Sequence, residues 1–157
     1  MSREPATFSH TPSTLYMVKQ LELAIRAVLD DVLRPHGITA PQYTALTALA
    51  ARDGLTSAQL ARRSFVTPQT MHEQVITLER AGLVSREKDA TNRRILLIHL
   101  TPLGRERMRA CAGVVSELEG LVEGVMSPAE LTAFRDRLDR AHQAVAPVAR
   151  GTAAPTG

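Results

Sequence analysis

A chain of 157 residues holds one ordinary domain, or one domain with helical extensions, and leaves little room for a second independent core. Hydrophobic residues make up 44% of it but aromatic ones only 3%, so aliphatic side chains must fill the core, and there are too few rings for a single-strand stacking platform; the lone Cys111 excludes a disulfide framework, a four-cysteine zinc site and a CxxC pair, and fits a reducing cytoplasm. The net charge of +3 is uneven, being 0 over residues 1–54, +5 over 55–109 and −2 over 110–157, and 17 of the 19 basic residues are Arg, so the middle third carries a footprint for a polyanion.

The chain opens on Met1-Ser2-Arg3-Glu4-Pro5, which lacks the basic-then-apolar order of a signal peptide, and no later apolar run approaches the ~18 residues that span a bilayer. A soluble, cytoplasmic protein with no membrane partner is expected. Residues 1–12 and 147–157 mix proline with small residues without periodicity and read as flexible ends. Ser13 can cap a first helix with Tyr16, Leu21, Ile25, Val28, Leu29 and Val32 at helical spacing, ended by Pro35 and Gly37. Thr39 or Ala40, with Pro41, opens a second helix running from Gln42 to about Arg52, with Tyr43, Leu46 and Leu49 on one stripe.

Thr56 or Ser57 starts a short helix over Ala58–Ser64, Phe65-Val66 connects, and Thr67-Pro68 caps and begins a helix running to about Ala81. In that helix Met71, Val75 and Leu78 make one apolar face, which leaves Gln69, Thr70, His72, Glu73, Gln74 and Thr77 for the others. Two helices joined by a three-residue turn, the second with a polar face, form a helix-turn-helix pattern. The period then changes. Leu83–Arg86 and Arg94–Leu100 read as strands around the polar loop Glu87–Arg93, a hairpin with a charged tip, or wing. Thr101-Pro102 opens a long helix from Leu103 to around Gly124 with Met108, Val115, Leu118 and Val122 or Leu121 on its stripe, and Ser127-Pro128 starts a last one with Leu131, Phe134 or Arg135, and Leu138.

Four separated motifs resemble the MarR (multiple antibiotic resistance regulator) family of winged-helix transcription factors: Gly37-Ile38-Thr39-Ala40-Pro41-Gln42-Tyr43, Leu55-Thr56-Ser57-Ala58-Gln59-Leu60-Ala61, Leu78-Glu79-Arg80-Ala81-Gly82-Leu83-Val84, and Asn92-Arg93-Arg94 with Leu100-Thr101-Pro102-Leu103-Gly104. They occur in family order and spacing, and the resemblance covers roughly residues 13–145. The expected fold is mainly α: a winged helix-turn-helix lobe over about 40–101, with a small β-hairpin wing, inside a domain over 13–146 whose helices at about 13–34 and 103–146 pair two chains. The resemblance implies a homodimer on a pseudo-palindromic operator in double-stranded DNA, acting as a repressor released by a small aromatic or phenolic ligand held between the dimerisation helices and the lobe. Tyr16, His36 and Tyr43 are the polar or aromatic candidates for that pocket. One departure concerns the wing, where the family usually carries Asp, one variable residue and Arg. Here Asn92 stands at the Asp position and Arg94 matches the Arg, so a neutral acceptor replaces a carboxylate.

The expected DNA contacts are Arg62, Thr67, Gln69, Thr70, His72, Glu73, Arg86, Arg93 and Arg94. Gln suits adenine edges and Thr a thymine methyl, Glu73 would need a cytosine or an arginine to face, and the arginines suit phosphate or the minor groove. Arg63 belongs to the same basic cluster, whereas Arg80 is assigned to intramolecular pairing. His10, His36, His72, His99 and His142 show no metal-ligand spacing, so no metal or cofactor is expected. No nucleophile elbow, phosphate-binding loop or paired catalytic carboxylates occur, which argues against an enzyme. Cys111 is read as a packing residue. The alternatives are a cysteine-based redox-sensing regulator and a dimeric ligand-binding protein that has lost DNA binding.

Overall fold

Serine and threonine hydroxyls set the start of each helix among the described residues. Ser13, Thr39, Thr56, Thr67, Thr101 and Ser127 each accept from the amide three residues on, those of Tyr16, Gln42, Gln59, Thr70, Gly104 and Glu130. A cap of this kind contributes about 1 kcal/mol, because the first turn otherwise leaves its N–H groups unpaired. Gln42 and Gln59 return the bond to the cap backbone, completing capping boxes.

The computed structural model describes residues 11–149. The helices are α1 (Thr14–Leu33), followed by a 3-10 turn (Arg34–His36), α2 (Ala40–Ala51), α3 (Ser57–Arg63), α4 (Pro68–Arg80), α5 (Pro102–Glu123) and α6 (Pro128–Ala149), with strands β1 (Val84–Lys88) and β2 (Leu96–Leu100) between α4 and α5. This is the mainly α, winged-helix architecture expected. The strand boundaries differ from expectation. Glu87 and Lys88 are paired in β1, opposite Leu97 and Leu96, whereas Arg94 and Ile95 belong to the tip. The tip is as long as expected but lies two residues further along the chain, because Asp89 closes it, its amide donating to the Ile95 carbonyl at 3.0 Å. At the other end, α6 continues through Pro147 to Ala149, so residues 147–149 are helical and not a flexible end. A proline in a last turn removes one hydrogen bond, which a helix end tolerates. The remaining expected flexible ends, 1–10 and 150–157, lie outside the described residues.

The chain divides into two compact units at Val115, within α5. In the first, one core joins Leu33 of α1, Ala45, Leu46 and Leu49 of α2, Leu60 and Ala61 of α3, Met71, Val75 and Leu78 of α4, Val84, Ile98 and Leu100 of the hairpin, and Cys111 of α5. Ile98 also exchanges backbone bonds with Leu55, so the α2–α3 link serves as a third edge of the hairpin. Asp53 fastens the same region: its carboxylate accepts from the Leu100 amide at 2.8 Å, lies 3.0 Å from His99 Nδ1 and faces Arg105 at 3.9 Å. Partial burial works against the charge on Asp53, but the Leu100 amide, the His99 ring and Arg105 outweigh it and hold the carboxyl below the usual aspartate range.

Within the first unit, α1 meets this core only through its last turns. Leu33 is buried and Leu29 and Val32 pack on it, whereas Leu15, Tyr16, Met17, Val18, Leu21, Leu23 and Val28 are exposed. Along α5, Gly104 and Cys111 are buried and Met108 and Val115 pack on the core. In the second unit, Leu118 and Val122 are half-buried while Leu121 is exposed, which decides between the two positions offered by periodicity. On α6, Leu131 and Phe134 are half-buried, Leu138 is exposed, and Arg135 pairs with Glu123 of α5.

The junction of α4, β1 and α5 is the tightest in the lobe. Gly82 adopts φ 73°, a left-handed conformation that ends α4 and favours glycine. The Thr101 hydroxyl donates to the Gly82 carbonyl at 2.6 Å while the Leu83 carbonyl accepts from the Thr101 amide at 3.1 Å. Gly104 sits against that carbonyl, and a Cβ there would lie 2.2 Å from Leu83 O and 2.8 Å from Leu100 Cδ1. Backbone cannot yield as a side-chain tip does. Gly104→Ala is therefore expected to destabilise the fold by about 1–3 kcal/mol, the range for overpacking, read as a lower urea midpoint at unchanged slope; an unchanged midpoint would contradict the close approach.

Candidate nucleic-acid interface

The turn that joins α3 to α4 is Ser64-Phe65-Val66. The Val66 amide returns to the Ala61 carbonyl at 3.2 Å, and Phe65 takes φ 57°, a left-handed conformation that costs a non-glycine residue about 1–2 kcal/mol. The turn persists because Ala61, Ser64 and Leu60 are buried on one side of it and Met71 on the other. Thr67 then caps α4, accepting from the Thr70 amide at 3.1 Å and donating to the Thr70 hydroxyl at 2.9 Å. Its oxygen is thus occupied by the helix start. Thr70 Oγ1 keeps its own proton to donate elsewhere.

Met71, Val75 and Leu78 are each at most 2% exposed and define the inner face of α4. At about 100° per residue, Gln69 and Glu73 fall opposite this stripe, and Thr70 and His72 fall on its two flanks. Gln69, His72 and Glu73 are exposed and Thr70 is half-buried. The first turns of α4 thus present all four expected readers around its N-terminal end, though not on a single face. Arg62 and Arg63 close α3 beside them, exposed and without an ion pair.

The wing tip is a turn organised by one carboxylate. Asp89 Oδ1 accepts from the Thr91 hydroxyl at 2.6 Å and from the amides of Thr91 and Asn92 at 2.8 Å each. Those bonds, the hydroxyl first, hold its carboxyl below the usual range. Asn92 Oδ1 accepts from the Arg94 amide at 3.2 Å, so the residue at the departure from the family pattern shapes the backbone and leaves the Arg94 guanidinium unpaired. Arg93 and Arg94 are both exposed with no ion pair.

Arg86 is placed differently from a cation awaiting phosphate. Its Nη2 lies 2.5 Å from Glu79 Oε2, and this bond chiefly holds the Glu79 carboxyl low and the Arg86 guanidinium high. Intramolecular pairing near the end of α4 thus uses Glu79 and Arg86, and Arg80 remains exposed without an ion pair. Val84 and Arg86 share a face of β1, which turns Arg86 toward α4, whereas Arg80 is rotated to the outer side of the helix. Sequence could mark the Glu79-Arg80 run for pairing but not select the partner seven residues away.

Of the three expected pocket residues, His36 and Tyr43 are half-buried near the end of α1, whereas Tyr16 is exposed at its start, about 25 Å away along the helix axis. One chain does not bring Tyr16 to the other two. Arg107, absent from the expected set, reaches this corner and donates to the His36 carbonyl at 2.6 Å. An open groove of about 510 Å³ lies in the second unit, beside Met126, Ala133 and Phe134, and none of the three expected residues lines it. Cys111 is fully buried; burial pushes its thiol up, against the opposing pull of Arg107. No group of His, Cys, Asp and Glu among the described residues could hold a metal ion, and no described helix is long and apolar enough to cross a membrane.

Comparison with known proteins agrees with this geometry. The model of the MarR family matches residues 36–95, from the end of α1 to the wing tip. The HTH-type transcriptional repressor Rv2887 of Mycobacterium tuberculosis is 30% identical over 125 residues, 80% of this chain and 90% of that one. Crystal structures of Rv2887, a MarR family protein, superpose with a TM-score of 0.67 for its complex with p-aminosalicylic acid, at 29% identity over 82% of this chain and 98% of that one. For its complex with DNA the TM-score is 0.66, at 28% identity over 82% and 97%. With a helix-turn-helix, a wing and a relative matched over most of both lengths, the chain belongs to the MarR family of winged-helix transcriptional regulators.

Proposed function

We propose that this protein is a homodimeric, sequence-specific repressor that binds a pseudo-palindromic operator in double-stranded DNA. The observation that carries the reading is the exposed polar first turns of α4 together with exposed arginines that hold no ion pair on the elements before and after it, Arg62 and Arg63 at the end of α3 and Arg93 and Arg94 at the wing tip. A helix of this kind fits a major groove, and exposed arginines can neutralise phosphates or enter a minor groove. The similar Rv2887 is named a repressor and was crystallised with DNA, which supports the same partner here.

Dimerisation follows from what α1 leaves uncovered. Leu15, Tyr16, Met17, Val18, Leu21 and Leu23 are each at least 42% exposed on a helix whose remaining turns pack normally. So large an apolar stretch on a free chain marks an interface, and a second copy covers it while doubling the lobe. At micromolar concentration, size-exclusion with light scattering should give twice the 17.1 kDa chain mass; a monodisperse single-chain mass would contradict the assignment.

Release by a small aromatic or phenolic acid is part of the proposal. Rv2887 was crystallised with p-aminosalicylic acid, and in this chain Arg107, bonded to the His36 carbonyl, offers a cation for a carboxylate. The ligand would act by favouring a lobe spacing that misfits DNA. A redox switch is less well supported, since a buried thiol with a raised pKa is a poor nucleophile.

The DNA reading is tested by separating base reading from phosphate neutralisation. Gln69→Ala, Thr70→Ala and His72→Ala should each lose about 1–3 kcal/mol on a selected operator for a good base contact, with little change on a scrambled duplex. Arg93→Ala and Arg94→Ala should weaken both duplexes and flatten the slope of log K against log salt by ~0.9 for each phosphate contact removed. Titrations at three salt concentrations, repeated with salicylate to look for release, decide this. Equal losses on both duplexes for the α4 variants would remove α4 as the reader.

A further inference from the structure

We propose that Glu79 and Arg86 are positioning residues for DNA recognition: their ion pair ties the last turn of α4 to the wing and fixes where Arg93 and Arg94 fall, while neither residue touches DNA. This rests on the DNA-binding reading above and adds to it the element that sets the relation between its two arms.

The pair joins two elements that approach DNA separately. Val84 and Arg86 lie on the face of β1 turned to the core, opposite Leu100 and Ile98, and Val84, Leu100 and Ile98 are buried. Arg86 is the next residue outward on that face, so its stem leaves the core edge and its guanidinium meets Glu79 at 2.5 Å. Both side chains are about two-thirds covered, at 33% and 35% exposure, which shields the pair more than an open surface bridge. On the other side of the hairpin at the same level, Ile98 is held by Leu55. Beyond this level the tip's hydrogen bonds run inside the hairpin, from Asp89 to Thr91, Asn92 and Ile95 and from Asn92 to Arg94 and Ile95. Arg93 and Arg94 lie past two further residues of strand, or about 7 Å of rise. A small tilt at the Glu79–Arg86 level is therefore magnified at the arginines. Glu79 also cancels the charge that Arg86 would offer a phosphate.

The sign of a single substitution separates this role from a direct contact. Removing a carboxylate from a DNA-facing lobe tightens binding if only charge matters, so a loss on Glu79→Gln points to position. Each variant is first checked for cooperative urea unfolding, then titrated at low salt against a duplex that the wild-type protein selects from a random-sequence pool. Glu79→Gln and Arg86→Gln should each weaken binding roughly two- to thirtyfold, the span for changes that alter coupling without contacting ligand, and the double variant should be no weaker than the worse single one. In an Arg93→Ala/Arg94→Ala background, where no wing arginine remains to be placed, Glu79→Gln should have no effect; a purely structural role would persist there. The proposal is overturned if Glu79→Gln leaves binding unchanged or tightens it while Arg86→Gln weakens it and flattens the salt slope by ~0.9, the signature of a phosphate contact. It is equally overturned if the Glu79→Gln loss survives in the Arg93→Ala/Arg94→Ala background. A wild-type protein that selects no duplex removes the DNA-binding reading itself, and this inference with it.

Discussion

Three side chains on one face of α4, Met71, Val75 and Leu78, determine what this protein can present to a partner. Each is at most 2% exposed, and burying a side chain of this size contributes about 1.5–3 kcal/mol. With that face committed to α3, β1 and the rest of the core, rotation of the helix about its axis is fixed, and Gln69 and Glu73 must point outward. The left-handed Phe65, the Thr67 cap and the Gly82 stop set where the helix begins and ends. The exposed polar face of α4 and the core are therefore one constraint seen from two sides.

The wing depends on the same core by a different route. Its base is locked where Leu55, Ile98 and Asp53 meet, and where Gly104 lets α5 approach the Leu83 carbonyl. Its tip is shaped locally by Asp89 and Asn92. Between the base and the tip, Glu79 and Arg86 join the hairpin to the last turn of α4.

Much of the fold was legible because local chemistry marks it. Hydroxyl caps followed by proline, as at Thr67-Pro68 and Ser127-Pro128, announce helix starts, and the spacing of Met71, Val75 and Leu78 announces the buried face. The boundary errors arose where two signals overlapped. Glu87 and Lys88 look like loop residues by polarity, yet they pair in β1 because an exposed strand edge needs no apolar side chains. Pro147 looks like a stop, yet α6 runs two residues past it. The candidate site was legible as a composition, arginines and short polar side chains around one helix start, but not as a set of partners. That Arg86 is already held by Glu79, that the Thr67 oxygen is used by its own helix, and that Asn92 bonds backbone depends on register and strand face. The far end of α1 shows a further limit, since Tyr16 is exposed there and stands apart from His36 and Tyr43.

In the proposed complex, two copies of the lobe each insert α4 into a major groove. Hydroxyl-radical footprinting of the wild-type protein on a duplex it selects, run at moderate salt, tests this most directly. The expected result is two symmetric protected regions with centres about one helical turn of DNA apart or a small multiple of it, with added protection outside each where Arg93 and Arg94 meet the backbone. A single protected half-site, or uniform protection that does not depend on sequence, would contradict it.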